Sequence, residues 1–128
     1  MTKRKELPIE GLALRFVAAA EEVAARLPPV RDYLARQLRR AASSVYLNLR
    51  EGLGEFSPKE KARLYRVAFR SLIEATGCLT LAVLFCPNIR GLAAAAEALA
   101  DELGPQLHRL ILFQRERLKQ KAPAARQG

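Results

Sequence analysis

The sequence predicts an all-α protein, built as an antiparallel up-down four-helix bundle, and three observations carry that expectation. Ala, Leu, Arg and Glu, all strong helix formers, dominate the 128 residues, and β-branched residues are few. Apolar residues recur at spacings of three and four through four long segments. Prolines or glycines stand between those segments, so each helix signal is interrupted where a connection is needed. A chain of this length suggests one domain, 1–128, able to bury a core.

The first helix is expected over about 9–27, with Ile9, Leu12, Phe16, Ala20, Val23 and Leu27 as its apolar stripe. Pro28 and Pro29 stop it, because a residue before proline resists helical geometry. The second, over about 30–50, carries Val30, Leu34, Leu38, Ala41, Val45 and Leu49. The turn Gly52-Leu53-Gly54 is expected to end it, with glycine supplying left-handed backbone. The third start is the sharpest signal. Ser57 offers an N-cap hydroxyl, Pro58 suits the first helical position, and Glu60 completes a capping box. Ala62, Tyr65, Phe69, Leu72, Thr76, Leu79, Val83 and Cys86 then form a heptad seam over 58–86, before Pro87. The fourth helix is expected over about 89–119, with Leu92, Ala96, Leu99, Leu103, Leu107 and Leu110 on its stripe. Gly104-Pro105 should kink it, or alternatively split it in two, and 120–128 reads as a disordered tail.

The third helix has more apolar surface than a bundle needs. Leu64, Ala68, Ala75, Leu79 and Ala82 form a second line, and from Cys78 to Cys86 only Thr80 is polar. Such a helix is buried on more than one side. The Ala-rich run LAAAAEALA of the fourth helix permits close helix approach. Together these point to a homo-oligomer, the alternative being a deeply central helix in a monomer.

The formal charge is +9 and the pI about 10.3, which favours an anionic partner: nucleic acid, an acidic protein or an anionic membrane surface. The excess is local. Residues 28–75 hold ten basic and five acidic side chains, and residues 109–128 hold six and one. Arg36, Arg39 and Arg40 cluster on the second helix. Lys59, Arg63, Arg66 and Arg70 make one stripe on the third, and Arg115, Arg117 and Lys119 gather near the end of the fourth, with Lys121 following. Guanidinium forks match phosphate oxygens. A row of them can follow an RNA or DNA backbone with strongly salt-dependent affinity. No aromatic interleaves with the stripe, so backbone or shape recognition is expected rather than base reading. The competing readings are an ordinary solvated face and a scaffold docking an acidic protein. If the second and third helices pack side by side, one hairpin would present both basic rows to the same anion.

Other chemistry finds little support. GLGEF lacks the preceding strand and the Lys-Ser/Thr of a phosphate-binding loop, and reads as a helix corner. The single histidine, His108, has no neighbouring cluster, and Glu60, Glu74, Glu97, Asp101 and Glu102 show no ExxH pairing, so no metal and no cofactor is expected. Ser43, Ser44, Ser57 and Ser71 lack a base partner, so no catalytic residue and no enzyme is expected. Cys78 and Cys86, eight residues apart on one helix, would lie about 12 Å apart, too far for a disulfide. Reduced cysteines, the absence of a signal-like leader in MTKRKELPIEG and a longest apolar run of only nine residues, CLTLAVLFC, suggest a cytoplasmic protein without a membrane partner.

The stretch QLRRAASSVYLNLREGLGEFSPKEKARLYRVAFRSLIEA resembles a known group. These are bacterial four-helix-bundle proteins, some encoded in intervening sequences of 23S ribosomal RNA genes, which include the accessory variability determinant of diversity-generating retroelements. The resemblance rests on Gln37-Leu38-Arg39-Arg40-Ala41-Ala42, Ser44, Asn48, Glu51-Gly52, Gly54, Ser57, Glu60, Tyr65, Ser71 and Glu74. Arg70 stands where the family often has glycine, and Tyr46, Leu47 and Arg50 are bulkier than the usual residues. The resemblance implies a homopentameric barrel of bundles with a basic surface. In the retroelement branch it also implies binding to a reverse transcriptase and to nucleic acid; for the ribosomal branch it implies no defined role.

Overall fold

The computed structural model describes residues 8–127, with side chains through Gln120. The first seven residues, with their three basic side chains, the side chain of Lys121 and the last residue fall outside that description. The chain forms a four-helix bundle: α1 (Pro8–Ala24), α2 (Asp32–Gly54), α3 (Pro58–Phe85) and α4 (Arg90–Gln127). Short 3₁₀ turns, Pro29–Arg31 and Pro87–Ile89, lead into α2 and α4. Among the described residues there is no strand.

Each helix packs on its two neighbours, in the cyclic order α1, α2, α3, α4, and α1 meets α3 only lightly across the diagonal. Side-chain pairs fix the antiparallel register. Arg39 of α2 meets Glu21 of α1, and Arg50 meets Glu10. Gln37 meets Glu74, Ser44 meets Ser71 at 2.8 Å, and Gly52 meets Tyr65. On the other flank of α3, the ring of Phe69 lies 6.1 Å from that of His108. Phe16, Leu34, Leu38, Leu49, Leu79, Leu103 and Leu107 are fully buried, which is where the apolar stripes of the sequence converge. Each such side chain contributes about 1.5–3 kcal/mol on burial.

The corner between α2 and α3 differs from the sequence expectation in two respects. No described glycine has a positive φ. Helical geometry runs to Gly54, and Glu55 leaves in extended backbone, φ −84° and ψ 147°. Gly52 is required for a different reason. A Cβ there would stand 2.5 Å and 2.8 Å from ring carbons of Tyr65, and Tyr65 is only 2% exposed. Ser57 does cap α3, accepting from the backbone N–H of Glu60 at 3.3 Å. Glu60 does not return the favour as a capping box would; its carboxylate pairs with Arg63, and Glu55 accepts from the N–H of Ser57 instead. Lys61 reaches back to donate to the carbonyls of Gly52 and Leu53, at 2.9 Å and 3.3 Å, placing a cation at the C-terminus of α2.

α4 neither splits at Gly104-Pro105 nor ends at 119: helix continues from Arg90 to Gln127. Leu103 and Leu107, buried on either side of the proline, hold that segment against the core. The helix signal therefore overrides one lost hydrogen bond. Cys78 and Cys86 are free thiols, the first buried and the second half-buried. Burial, aided by the charge of Glu74, raises the Cys78 pKa. By length and composition alone α3 could cross a membrane, with mean hydropathy 1.6 over its most apolar 18 residues, a third of them buried inside the bundle. Counting only the uninterrupted apolar run in the sequence missed this.

Candidate nucleic-acid interface

α3 has an inner face on the core and an outer face on solvent, and the outer face is divided along its length. Helical periodicity puts Lys59, Arg63, Arg66 and Arg70 on one side together with Ile73, Gly77, Leu81 and Leu84. All are exposed. The half nearer the corner is basic and the far half is apolar, with Leu84 68% exposed. From Lys59 to Arg70 the basic half covers about 16 Å at ~1.5 Å per residue.

These cations are not equivalent. Arg63 is paired with Glu60, Nη2 to Oε1 at 2.6 Å, one helical turn away. The hydrogen bond and charge of Arg63 hold the Glu60 carboxyl below its usual range and raise the Arg63 pKa in turn. Arg66 and Arg70 form no ion pair among the described residues and point outward. Lys59 is likewise exposed.

The α2 trio is committed elsewhere. Arg36 pairs with Asp32 one turn before it. Arg39 forks onto Glu21 of α1, Nε to Oε2 at 2.7 Å and Nη2 to Oε1 at 3.0 Å. The hydrogen bonds from Arg39 lower the Glu21 pKa against the opposing effect of burial. Arg40 approaches Glu74 at 3.6 Å. The two basic rows are therefore not aligned as a side-by-side hairpin would suggest. Antiparallel packing places Arg36, Arg39 and Arg40 near the start of α2, beyond the far end of the α3 stripe. Only Arg40 comes near that stripe, at Glu74, one turn past Arg70.

The α4 cluster divides as well. Leu72 lies beside Gly104, and Phe69 beside His108. That register brings Arg115 and Lys119 level with the first turns of α3, and Arg115 continues the α4 stripe of Gly104 and His108 that faces α3. Both are exposed. Arg117 turns to the other flank, over the ring of Phe113 at 6.0 Å and donating to Gln114 at 3.4 Å. Lys59, Arg66, Arg70, Arg115 and Lys119 thus form the available basic surface, at and beside the corner end of the bundle.

Sequence reasoning passed over Phe56, which is 93% exposed at that same corner. Its signal was an aromatic in a polar turn, outside every apolar stripe. Among the described residues no group of three or more His, Cys, Asp or Glu is placed to hold a metal ion.

Residues 5–86, which take in α1 to α3, match the family model of the 23S rRNA-intervening sequence protein. The chain belongs to that family. No curated protein and no solved structure matches it. The family match ends at the C-terminal end of α3, so the long α4 and its basic cluster lie beyond the matched segment. Within the match, Ser44 and Asn48 form a polar stitch. The Asn48 amide donates to the Ser44 carbonyl and hydroxyl at 2.9 Å and 3.0 Å, and that hydroxyl meets Ser71 of α3. Ser44, Asn48 and Ser71, three of the residues that carry the resemblance, are thus occupied in joining α2 to α3.

Proposed function

We propose that this 23S rRNA-intervening sequence family protein is a non-enzymatic, oligomeric binder of nucleic-acid backbone. One observation carries the reading: Arg66 and Arg70 stand outward on a rigid helix with no carboxylate partner among the described residues. Lys59, Arg115 and Lys119 extend the same basic surface. Arg63 joins readily, because an exposed ion pair such as Arg63–Glu60 is weak and a phosphate can displace the glutamate. The ligand is RNA or DNA, held through backbone contacts. A reverse transcriptase is the protein partner to seek in the retroelement setting, and a pull-down with and without nuclease separates it from a nucleic-acid bridge.

The apolar half of the outer α3 face, Ile73, Leu81 and Leu84, supports assembly of copies of the chain, and a ring of five is the form that the resemblance implies. Light scattering that returned the mass of one chain, 14.2 kDa, would rule assembly out. Filter binding of a short RNA over a salt series tests the binding itself. Three to five phosphate contacts predict a fall in log affinity of roughly 2–5 per decade of salt. Absence of binding at low salt, or binding indifferent to salt, sinks the proposal.

A further inference from the structure

We infer that Phe56 is a base-stacking residue that makes this surface select unpaired, single-stranded nucleic acid over duplex. The inference rests on the backbone-binding reading above and adds the class of ligand to it.

Phe56 is the most exposed large apolar side chain among the described residues, at 93%. It belongs to neither the core nor the apolar half of α3. Its exposure is not the result of a loose segment, because hydrogen bonds hold the corner on both sides of it. The N–H of Glu55 donates to the Gly52 carbonyl at 3.3 Å. The Glu55 carboxylate accepts from the N–H of Phe56 itself at 2.9 Å and of Ser57 at 3.3 Å. Ser57 then caps α3, and Lys61 ties the end of α2 to its first turns. The backbone that carries the ring is thereby held at a fixed place, with the ring itself in water.

That place is next to the cations. α3 begins two residues after Phe56, and Lys59 and Arg63 lie within its first two turns, about 9 Å along the axis. A ring held beside a row of cations offers both parts of a single-strand site: a platform for one base and a track for its phosphates. A duplex can use the track but not the platform, since its bases are already stacked and paired. The adjoining cations favour a nucleobase over an apolar patch on a protein as the occupant of the ring.

The test compares Phe56→Ala, Phe56→Leu and Phe56→Trp with the parent chain, using a poly-U or poly-dT oligonucleotide and a duplex of equal length. Phe56→Ala should weaken single-strand binding about tenfold and leave duplex binding and the salt slope unchanged. Phe56→Leu keeps apolar bulk without the π face and should behave like the alanine variant. The chain has no tryptophan, so Phe56→Trp creates a unique fluorophore, whose emission the single strand should quench. Equal affinity of the alanine variant, unquenched emission, or full rescue by leucine overturns stacking. So does loss of a nuclease-resistant protein partner with nucleic-acid affinity intact, which would make the ring a protein contact. If the parent chain binds neither oligonucleotide, the backbone reading falls first and this inference with it.

Discussion

Arg39 of α2 and Arg70 of α3 are the same residue in opposite circumstances. Arg39 spans to another helix and forks onto Glu21 at the bundle surface, so two of its five donors are engaged by a carboxylate. Arg70, like Arg66, has no ion pair among the described residues and stands on the outer face of α3. Both belong to dense basic segments, and in the sequence the α2 cluster is the denser. Density of charge shows where cations were placed, and only packing shows which of them are left for a partner. The α2 arginines are all ion-paired, through exposed and therefore weak pairs, while Arg66 and Arg70 of the α3 row have no ion pair among the described residues.

The sharpest way to break the comparison is to remove cations on each side of it. Arg66→Glu with Arg70→Glu should lower RNA affinity at low salt by about a hundredfold, roughly tenfold for each lost charge-assisted contact. It should also reduce the salt slope by about two. Arg39→Ala should change affinity by less than about threefold, because its donors already face Glu21. Equal losses from the two sets, measured by filter binding on folded protein, would show that the ion pair does not withhold Arg39.

A second contrast concerns what keeps the two regions apart. The register between α2 and α3 brings Arg40 to Glu74, and the close approach of Gly52 to Tyr65 is part of it. Gly52→Ala drives a methyl group into a buried ring and should cost about 1–3 kcal/mol, several degrees of melting temperature. Gly54 has nothing within 4 Å of a Cβ and no positive φ. Gly54→Ala should therefore be neutral, or stabilising by up to about 1 kcal/mol. Similar thermal melts for the two variants would contradict the geometry.

These two glycines show where the sequence stops being readable. Both looked like parts of one turn, and nothing local distinguishes the one facing Tyr65 from the one facing solvent. The helices themselves were legible, because apolar spacing and proline punctuation are local signals. The continuation of α4 past Pro105 was legible, because Leu103 and Leu107 carry the stripe on either side of it; its far end was not, since the stripe stops at Leu110 and helix runs on to Gln127. Three of the ion pairs, Arg26–Glu22, Arg36–Asp32 and Arg63–Glu60, lie at helical spacings and follow from the pairing rule for neighbouring turns. Arg39–Glu21 crosses between helices and needs the fold. Phe56 could have been noticed as an aromatic without an apolar partner, but its exposure only becomes evident once the corner is built.

The smallest expected effect sharpens the comparison from the acidic side. The guanidinium of Arg39 holds the Glu21 pKa below the ordinary glutamate value of 4.5. A carboxyl depressed in the folded state stabilises the fold above the unfolded value, and that contribution fades as pH falls through the folded one. The window for Glu21 is thus acid, below about 4.5, and near-neutral stability carries its full contribution. Both partners are largely in solvent, with side chains 41% and 53% exposed, so the effect is modest and screened by salt. Glu21→Gln should lower the urea midpoint by roughly 0.1–0.3 M at neutral pH. The difference from the parent should vanish below the folded pKa of Glu21, where both chains carry a neutral side chain. Glu60→Gln removes a pair with the same sign of shift that lies within α3 and joins no two helices. If the two variants lose midpoint equally, the Arg39–Glu21 fork adds nothing to the packing of α1 on α2, and Arg39 counts among the cations free to bind.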